Sequence, residues 1–547
     1  MGTLDDLFRR FEQLNDIGAS LSSERDLNRL LEKVVLAAKA ITRADGGTLY
    51  LLSEDKRHLH FEIVRTDSLK IAFGGTSGNP VSGKFPDLPL YRDDGTANDT
   101  MVAAYAAISG ETVNIADAYV AKGFDFGGTR KFDERTGYRS QSFLTVPMRN
   151  HEGEIIGVLQ LINANMLTHG VAVPFSEADQ RLAESLASQA AIALTNRQLL
   201  RQLEVLFESF IQLINSAIDD KSPYTGEHCQ RVPKLTMMLA EAAHEASEGP
   251  LADFRLTDRD RYELRIAALL HDCGKVTTPV HVVDKATKLQ TIFDRIELID
   301  TRFELVRRDA EIRMLRQIVA GVPHERVEAE FREFVANMEV DRNFLHQANV
   351  GSERMSDDDI DRVRSIATGY SWQEASGVEV DFLSADELEN LCIRAGTLTQ
   401  AERQTINYHV SATIRMLEQL PWPKHLKNVP EYAGGHHERM DGKGYPKGLS
   451  REQMSVQARV MGIADIFEAL TARDRPYKRG KTLSESLHIL GKFRLGGHID
   501  PDLFDVFVRE KVYLKYAEKF LDPEQIDEVD ESKIPGYINR DVATQQH

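Results

Sequence analysis

His436-His437-Glu438-Arg439-Met440-Asp441-Gly442-Lys443-Gly444-Tyr445-Pro446 joins two potential metal ligands to a glycine-hinged turn. Upstream stands a second ligand pair, His271-Asp272. Neutral imidazole and carboxylate together suit mid-row divalent metals, and adjacent His-His or His-Asp pairs let one short segment serve two ions. The pattern predicts a chain built around a metal cluster.

With 547 residues, 42% of them hydrophobic and 28% charged, the chain is long enough for two or more globular cores. No apolar run approaches the roughly eighteen residues of a membrane span, and Met1-Gly2-Thr3-Leu4-Asp5-Asp6 lacks the basic start of a secretory signal. A cytoplasmic protein is expected. Cys229, Cys273 and Cys392 are too few for a disulfide framework, so reduced thiols are expected. The net charge of −18 disfavours a nucleic-acid polymer or an anionic membrane as partner. An anionic substrate would need positive charge supplied locally.

Residues 1–175 read as an α+β domain. The helical stretch Leu27 to Ile41 ends in Ala44-Asp45-Gly46-Gly47 and gives way to the strand-like Thr48 to Leu52. Ser142 to Met148 and Ile155 to Ile162 flank Asn150-His151-Glu152-Gly153-Glu154, the composition of a hairpin turn in an antiparallel sheet. With Val146-Pro147, Gly157-Val158-Leu159 and the stretch from Phe132-Asp133 to Thr136-Gly137-Tyr138, this segment resembles a GAF domain of the cyclic-nucleotide-phosphodiesterase branch. Asn163, Phe175 and Asp179 match part of that branch's dispersed signature, while Ala164 and Gln180 replace its lysine and glutamate. The resemblance implies a sensory domain for a cyclic nucleotide or other small ligand. A packed dimerisation domain without a ligand is the alternative.

Residues 176–216 read as one long linker helix. Ser176 is a fitting N-cap, Glu177 and Asp179 oppose the macrodipole in the first turn, and no proline interrupts before Pro223. Leu186, Ala193, Leu200, Phe207 and Ile214 recur every seven residues, with Gln189, Asn196, Leu203 and Phe210 as companions. A parallel coiled coil and hence a homodimer are expected; an amphipathic helix packed on its own domain is the alternative.

Residues 217–520 are predominantly helical, followed by a tail over 521–547. This region resembles an HD-GYP domain. The likeness rests on Tyr224-Thr225-Gly226-Glu227-His228, His271-Asp272-Cys273-Gly274-Lys275, Gly396-Thr397-Leu398-Thr399 with His409, the His436 to Pro446 string, Arg459 to Leu470, and Asp474 to Lys478. It implies an all-α metal-dependent phosphohydrolase with His228, His271, Asp272, His409, His436, His437 and Asp465 as ligands, Asp272 bridging two divalent ions. Imidazole with carboxylate suits iron or manganese. Tyr224 stands where some members carry a glutamate for a third metal, so two ions are expected. Glu468, three residues beyond Asp465, is placed to orient a ligand.

The reaction implied is phosphodiester hydrolysis, with cyclic di-GMP as substrate, opened to the linear dinucleotide; further cleavage to GMP stays open. Alternatives are cyclic GMP-AMP as substrate, or a non-catalytic cyclic-dinucleotide sensor. Asp272 and Lys275 are the candidate catalytic residues. Lys275 lies four residues beyond His271, so a continuing helix would set both on one face. Lys443 and Tyr445 on the glycine turn, with Arg475 and Lys478, are the candidate substrate contacts. Residues 287–390 read as a helical insertion, with helices over Phe303 to Val319 and Glu325 to Met338 and another starting at Ser356. A lid, a partner surface, a dimer contact or a solvated decoration all fit it.

Overall fold

The computed structural model describes residues 2–24, 26–164, 171–221, 228–351, 354–472 and 480–537, which divide into two compact units, residues 1–207 and 208–547. No helix among the described residues is long and apolar enough to cross a membrane.

The first unit is a seven-stranded antiparallel sheet with helices on both faces, the α+β arrangement expected. Its main path runs Ile71–Phe73, His58–Thr66, Ala44–Leu52, Ile155–Ala164, Phe143–Arg149, Val113–Ile115, with Leu88–Pro89 pairing on His58–Thr66. The two outer strands of the expected hairpin pair directly, Val146 opposite Leu159. Asp26 caps the helix Leu27–Thr42 by accepting from the Arg29 N–H, and that helix buries Leu30, Val34, Val35 and Ile41 against the sheet. The Gly46-Gly47 pair, which reads as a turn, lies inside the strand instead. A Cβ on Gly47 would sit 2.8 Å from Val35 Cγ1, so the helix approaches the strand at a distance only glycine permits. Asn163 takes φ of +57° and its side chain bonds the Gln141 and Ser142 N–H groups and the Arg139 carbonyl. Its match to the dispersed signature therefore coincides with a backbone-bracing role.

Ser176 and Asp179 form a reciprocal cap at the start of the helix Glu177–Lys221, which is 45 residues long. Its first turns are spent inside the first unit: Leu182, Leu186, Ala190 and Leu194 are buried in that core and Ala193 packs against it. The expected seam thus begins with residues already covered. Beyond them the expected Leu200, Leu203, Phe210 and Ile214 are exposed, and so are Leu199, Leu206 and Leu213 one residue earlier, so two adjacent apolar stripes share the outer half of the helix.

The second unit is helical. Helix His228–Glu245 packs on Asp258–Leu270 and Val456–Thr471, and Gln400–Glu418 packs on the 3-10 turn Cys273–Thr277. Between them comes a subdomain with its own core, formed by Ile299, Phe303, Met338, Leu345, Val363 and Phe382 among others. It contains the helices Ile296–Val319, His324–Asn349 and Asp357–Gly369, the last capped by Ser356. It is not wholly helical: Ser371–Gln373 and Glu379–Asp381 pair as a small hairpin. Three-residue strands carry too little alternation to register in a sequence pattern. Its two ends are drawn together where Lys285 Nζ donates to Asn390 Oδ1 at 2.7 Å and to both oxygens of Glu402 at 2.8 Å.

Candidate metal centre

Five separate elements of the second unit deliver the expected ligands to one place. His228 opens the helix His228–Glu245; His271 and Asp272 occupy the junction between Asp258–Leu270 and the 3-10 turn; His409 lies within Gln400–Glu418. His436 and His437 follow the short helix Val429–Gly434, and Asp465 lies within Val456–Thr471. All but His437 are buried, and His437 is partly so.

Asp272 is the centre of the arrangement. Its Oδ2 lies 3.3 Å from His228 Nε2 and 3.2 Å from His271 Nε2, while Oδ1 lies 3.3 Å from His409 Nε2. Asp465 Oδ1 is 3.2 Å from His228 Nε2 and 3.8 Å from His271 Nε2. His228, His271 and Asp272 have potential ligand atoms all within 4.8 Å of one another, and so do His409, His436 and His437. Two donor sets therefore flank one carboxylate, each oxygen turned to a different set, the geometry a bridging carboxylate requires.

The orientation of the rings identifies which nitrogen is offered. Nδ1 of His271, His409 and His436 lies 2.8, 2.5 and 2.6 Å from the carbonyl oxygen three residues earlier, of Ala268, Ile406 and Ala433 respectively. A carbonyl can only accept, so Nδ1 carries the proton and Nε2 presents a lone pair. Those three Nε2 atoms are buried without a hydrogen-bond partner among the described residues. Unpartnered buried lone pairs are costly in an apolar setting but suit a cation, so the donor set fits a metal. His228 differs: its Nδ1 meets the Glu468 carboxylate, whose other oxygen accepts from Arg231 Nε at 2.7 Å.

The electrostatics follow the same division. Burial pushes His436 well below the usual imidazole range, aided by His437 and His271, and burial likewise brings His437 down to about 4. For His228 burial opposes protonation but is outweighed by Asp272, Asp465 and Glu468, which raise it. Burial would raise Asp272, yet Lys275 and His271 hold it well below the carboxylate range; Asp465 is held low against burial by His228. For His436, His437, Asp272 and Asp465 these directions give the neutral imidazoles and ionised carboxylates that ligation needs, whereas the surrounding carboxylates favour the protonated form of His228.

Lys275 does not continue the helix that precedes His271, yet both side chains reach Asp272 Oδ2. The chain turns into a 3-10 segment after Asp272, and Lys275 Nζ comes to 2.6 Å from Asp272 Oδ2. Tyr445 stacks on His437, ring centroids 4.9 Å apart and planes 16° from parallel, and its N–H donates to the His437 carbonyl. Lys443 stands exposed on the turn, its N–H donating to Asp441 Oδ1. Arg475 and Lys478 lie outside the described residues, as do Tyr224 and Glu227. The turn itself is pinned by the buried Glu438, which accepts from the Lys447 and Leu449 N–H groups at 2.7 and 2.9 Å.

Sequence reasoning missed several residues that shape the cluster. Thr413 Oγ1 accepts from the Gly274 N–H at 2.9 Å and donates to the His271 carbonyl at 3.1 Å, tying the helix of His409 to the turn after Asp272. A Cβ on Gly274 would fall 2.0 Å from the His409 carbonyl oxygen. Arg231 sits one helical turn after His228, a spacing that could have flagged it.

Comparison with known proteins agrees with the fold. Residues 26–194 match the family model of the GAF domain, and residues 225–339 and 385–503 match two family models of the HD domain. Among curated relatives, a 3'3'-cGAMP-specific phosphodiesterase 1 of Vibrio cholerae is 37% identical over 121 residues, 22% of this chain and 27% of the relative. A cyclic di-GMP phosphodiesterase of Pseudomonas aeruginosa is 37% identical over 116 residues, 21% of this chain and 27% of the relative. One of Thermotoga maritima is 31% identical over 121 residues, 22% of this chain and 32% of the relative. The chain thus matches about a quarter to a third of the length of these relatives.

Proposed function

We propose that this chain, which joins an N-terminal GAF domain to an HD domain of the HD-GYP type, is a metal-dependent phosphodiesterase that opens cyclic di-GMP to the linear dinucleotide. The observation that carries this reading is the convergence of unpartnered, buried imidazole Nε2 atoms on the two oxygens of Asp272. His228, His271 and Asp465 with one oxygen of Asp272 would hold one divalent cation, and His409, His436 and His437 with the other oxygen a second. Iron or manganese suits these donors. When bound, such a pair supplies Lewis acidity, neutralising phosphate charge and lowering the pKa of water.

The protein's own groups do the rest. In hydrolysis the water oxygen bonds to phosphorus, the bond from phosphorus to the ribose 3' oxygen breaks, and that oxygen takes up a proton. Lys275 is the group for this leaving oxygen. Burial works against its charge but Asp272 and Asp465 outweigh burial and raise its pKa, so it remains an ammonium that can hold a phosphoryl oxygen or donate. Tyr445, stacked on His437, presents an aromatic face beside the cluster that suits a purine, and Lys443, Arg475 and Lys478 are the candidate phosphate contacts. The GAF domain would take a small ligand and bias a homodimer in the cytoplasm.

A second substrate has support as well, since relatives named for 3'3'-cGAMP and for cyclic di-GMP match at similar identity. A silent sensor is disfavoured because a binding module has no use for a complete donor set. The test is metal analysis of protein purified without oxygen, with chromatography of products from each dinucleotide. Full-length protein should carry metal and yield linear product, and the double variant His271→Ala, Asp272→Ala should lose both while keeping its helical content. Turnover and metal unchanged in that variant would overturn the cluster; a metal-loaded wild type that cleaves neither substrate would overturn the enzyme.

A further inference from the structure

The helix Ile296–Val319 has two apolar faces, and among the described residues only one of them is covered. Ile296, Ile299, Phe303, Val306 and Ala310 are buried in the subdomain core. On the opposite side Leu298, Leu305, Ile312 and Val319 recur every seventh residue with relative exposures of 42, 40, 45 and 88%, and Leu315 joins them at 51%. At 100° per residue the stripe lies roughly half a turn from the buried face, so the core of its own subdomain cannot cover it. Scattered surface leucines need no explanation, but a repeat of period seven along about six turns is the pattern that keeps one seam facing a second helix.

We propose that this stripe is a contact between two copies of the chain, the helix Ile296–Val319 of each pairing in parallel and in register. Charge selects the arrangement. With Leu298, Leu305, Ile312 and Val319 in the first core position, the flanking positions are Glu297, Glu304 and Glu311 on one side and Arg302, Asp309 and Arg316 on the other. A parallel pair sets each residue of the first group against the next of the second group on the partner helix: Glu297 meets Arg302, Glu311 meets Arg316, and only Glu304 meets a like charge, Asp309. An antiparallel pair would instead set glutamate against glutamate and arginine against arginine. Arg302 already grips Glu387 at 2.7 and 3.0 Å, so the Glu311–Arg316 pair is the one fully available.

The companion core positions, Thr301, Arg308 and Leu315, are apolar only at the last. The contact is therefore strongest around Ile312, Leu315 and Val319 and weak toward the other end, which suits an association that forms and releases. It is separate from the seam on the linker helix and does not depend on the hydrolytic reading.

Cysteine crosslinking of the full-length chain tests it. Ile312→Cys places a thiol at a self-facing core position, so mild oxidation should give a disulfide-linked dimer, resolved by non-reducing electrophoresis. Arg313→Cys, turned outward, should stay largely monomeric, and the wild type sets the background from Cys392. Adding Leu305→Glu to Ile312→Cys should cut the crosslink several-fold, whereas Leu199→Glu on the linker helix should not abolish it. Equal crosslinking by Ile312→Cys and Arg313→Cys, or none by either, would overturn the proposal. So would a dimer formed only when Leu298→Cys and Val319→Cys chains are mixed, the signature of an antiparallel pair.

Discussion

Glu468 holds His228 by Nδ1 while its second oxygen takes the Arg231 Nε–H at 2.7 Å, so one buried carboxylate fixes both the tautomer and the angle of an imidazole that faces Asp272 and Asp465. Such outer partners typically contribute about 10–100-fold in metal affinity. Glu468→Gln should therefore lower metal occupancy under chelator competition while the far-UV circular dichroism stays unchanged. Arg231→Lys, which keeps the charge but not the directed Nε–H, should fall between. Undiminished affinity in Glu468→Gln would reduce the pair to a packing contact.

Gly274 is required by a close approach. Its N–H is bound to Thr413 and the space beside it belongs to the His409 backbone, so an added methyl would meet the carbonyl oxygen at 2.0 Å. Neither backbone segment can yield without moving His271–Asp272 or His409. Overpacking of this kind costs about 1–3 kcal/mol, and Gly274→Ala should lower Tm by several degrees and lose metal together. A variant with native Tm and native metal content would show that the turn has slack.

The convergence of the candidate ligands was legible because they sit in short motifs that the family resemblance ordered. Gly274 and Thr413 were not, since their contact joins elements more than a hundred residues apart and leaves no periodic mark. Gly46-Gly47 misled for the opposite reason: a glycine pair is a strong local turn signal, and the tertiary demand for a helix lying close over the strand overrode it. The linker repeat was legible but its extent was not, because period alone does not tell which part the chain's own core will cover: Leu186 and Ala193 pack in the first unit, while Leu200 and Ile214 stay exposed.

Lys288 offers a prediction about stability alone. Its ammonium is enclosed with Met355 Sδ and the Leu391 carbonyl, the latter at 3.0 Å, and burial brings its pKa down to about 8. An unfolded lysine titrates at about 10.4, so between these values the unfolded chain holds a proton that the folded chain has released, and stability rises with pH. Below about 8 both states are protonated and the folded state bears the full desolvation. Lys288→Met should raise Tm at neutral pH and flatten the rise between pH 8 and 10 relative to the wild type. A variant less stable than the wild type at pH 7, with the slope intact, would count against an uncompensated charge.

Lys221 closes the linker helix by donating to the carbonyl oxygens of Lys275, at 3.4 Å, and Val276, and nearly two heptads earlier Glu208 pairs with Arg265 at 2.5 Å. Arg265 precedes His271–Asp272 and Lys275 follows them, so the last part of this helix touches both flanks of the segment that holds two candidate ligands and the candidate acid. A rotation or shift of the helix would move Lys275 relative to Asp272 before it disturbed the helices behind the other ligands. Lys221→Met should therefore lower kcat for cyclic di-GMP with metal content and KM little changed, and Lys221→Arg should restore part of the loss. Four residues inserted near Asn196 lie upstream of both contacts and would alter the seam without removing either, so basal turnover should shift while metal binding persists. The measurement is turnover and metal content of the four forms side by side. A parallel loss of metal and activity in Lys221→Met would make the contact a structural clasp, and unchanged kcat in both variants would detach the linker from the chemistry.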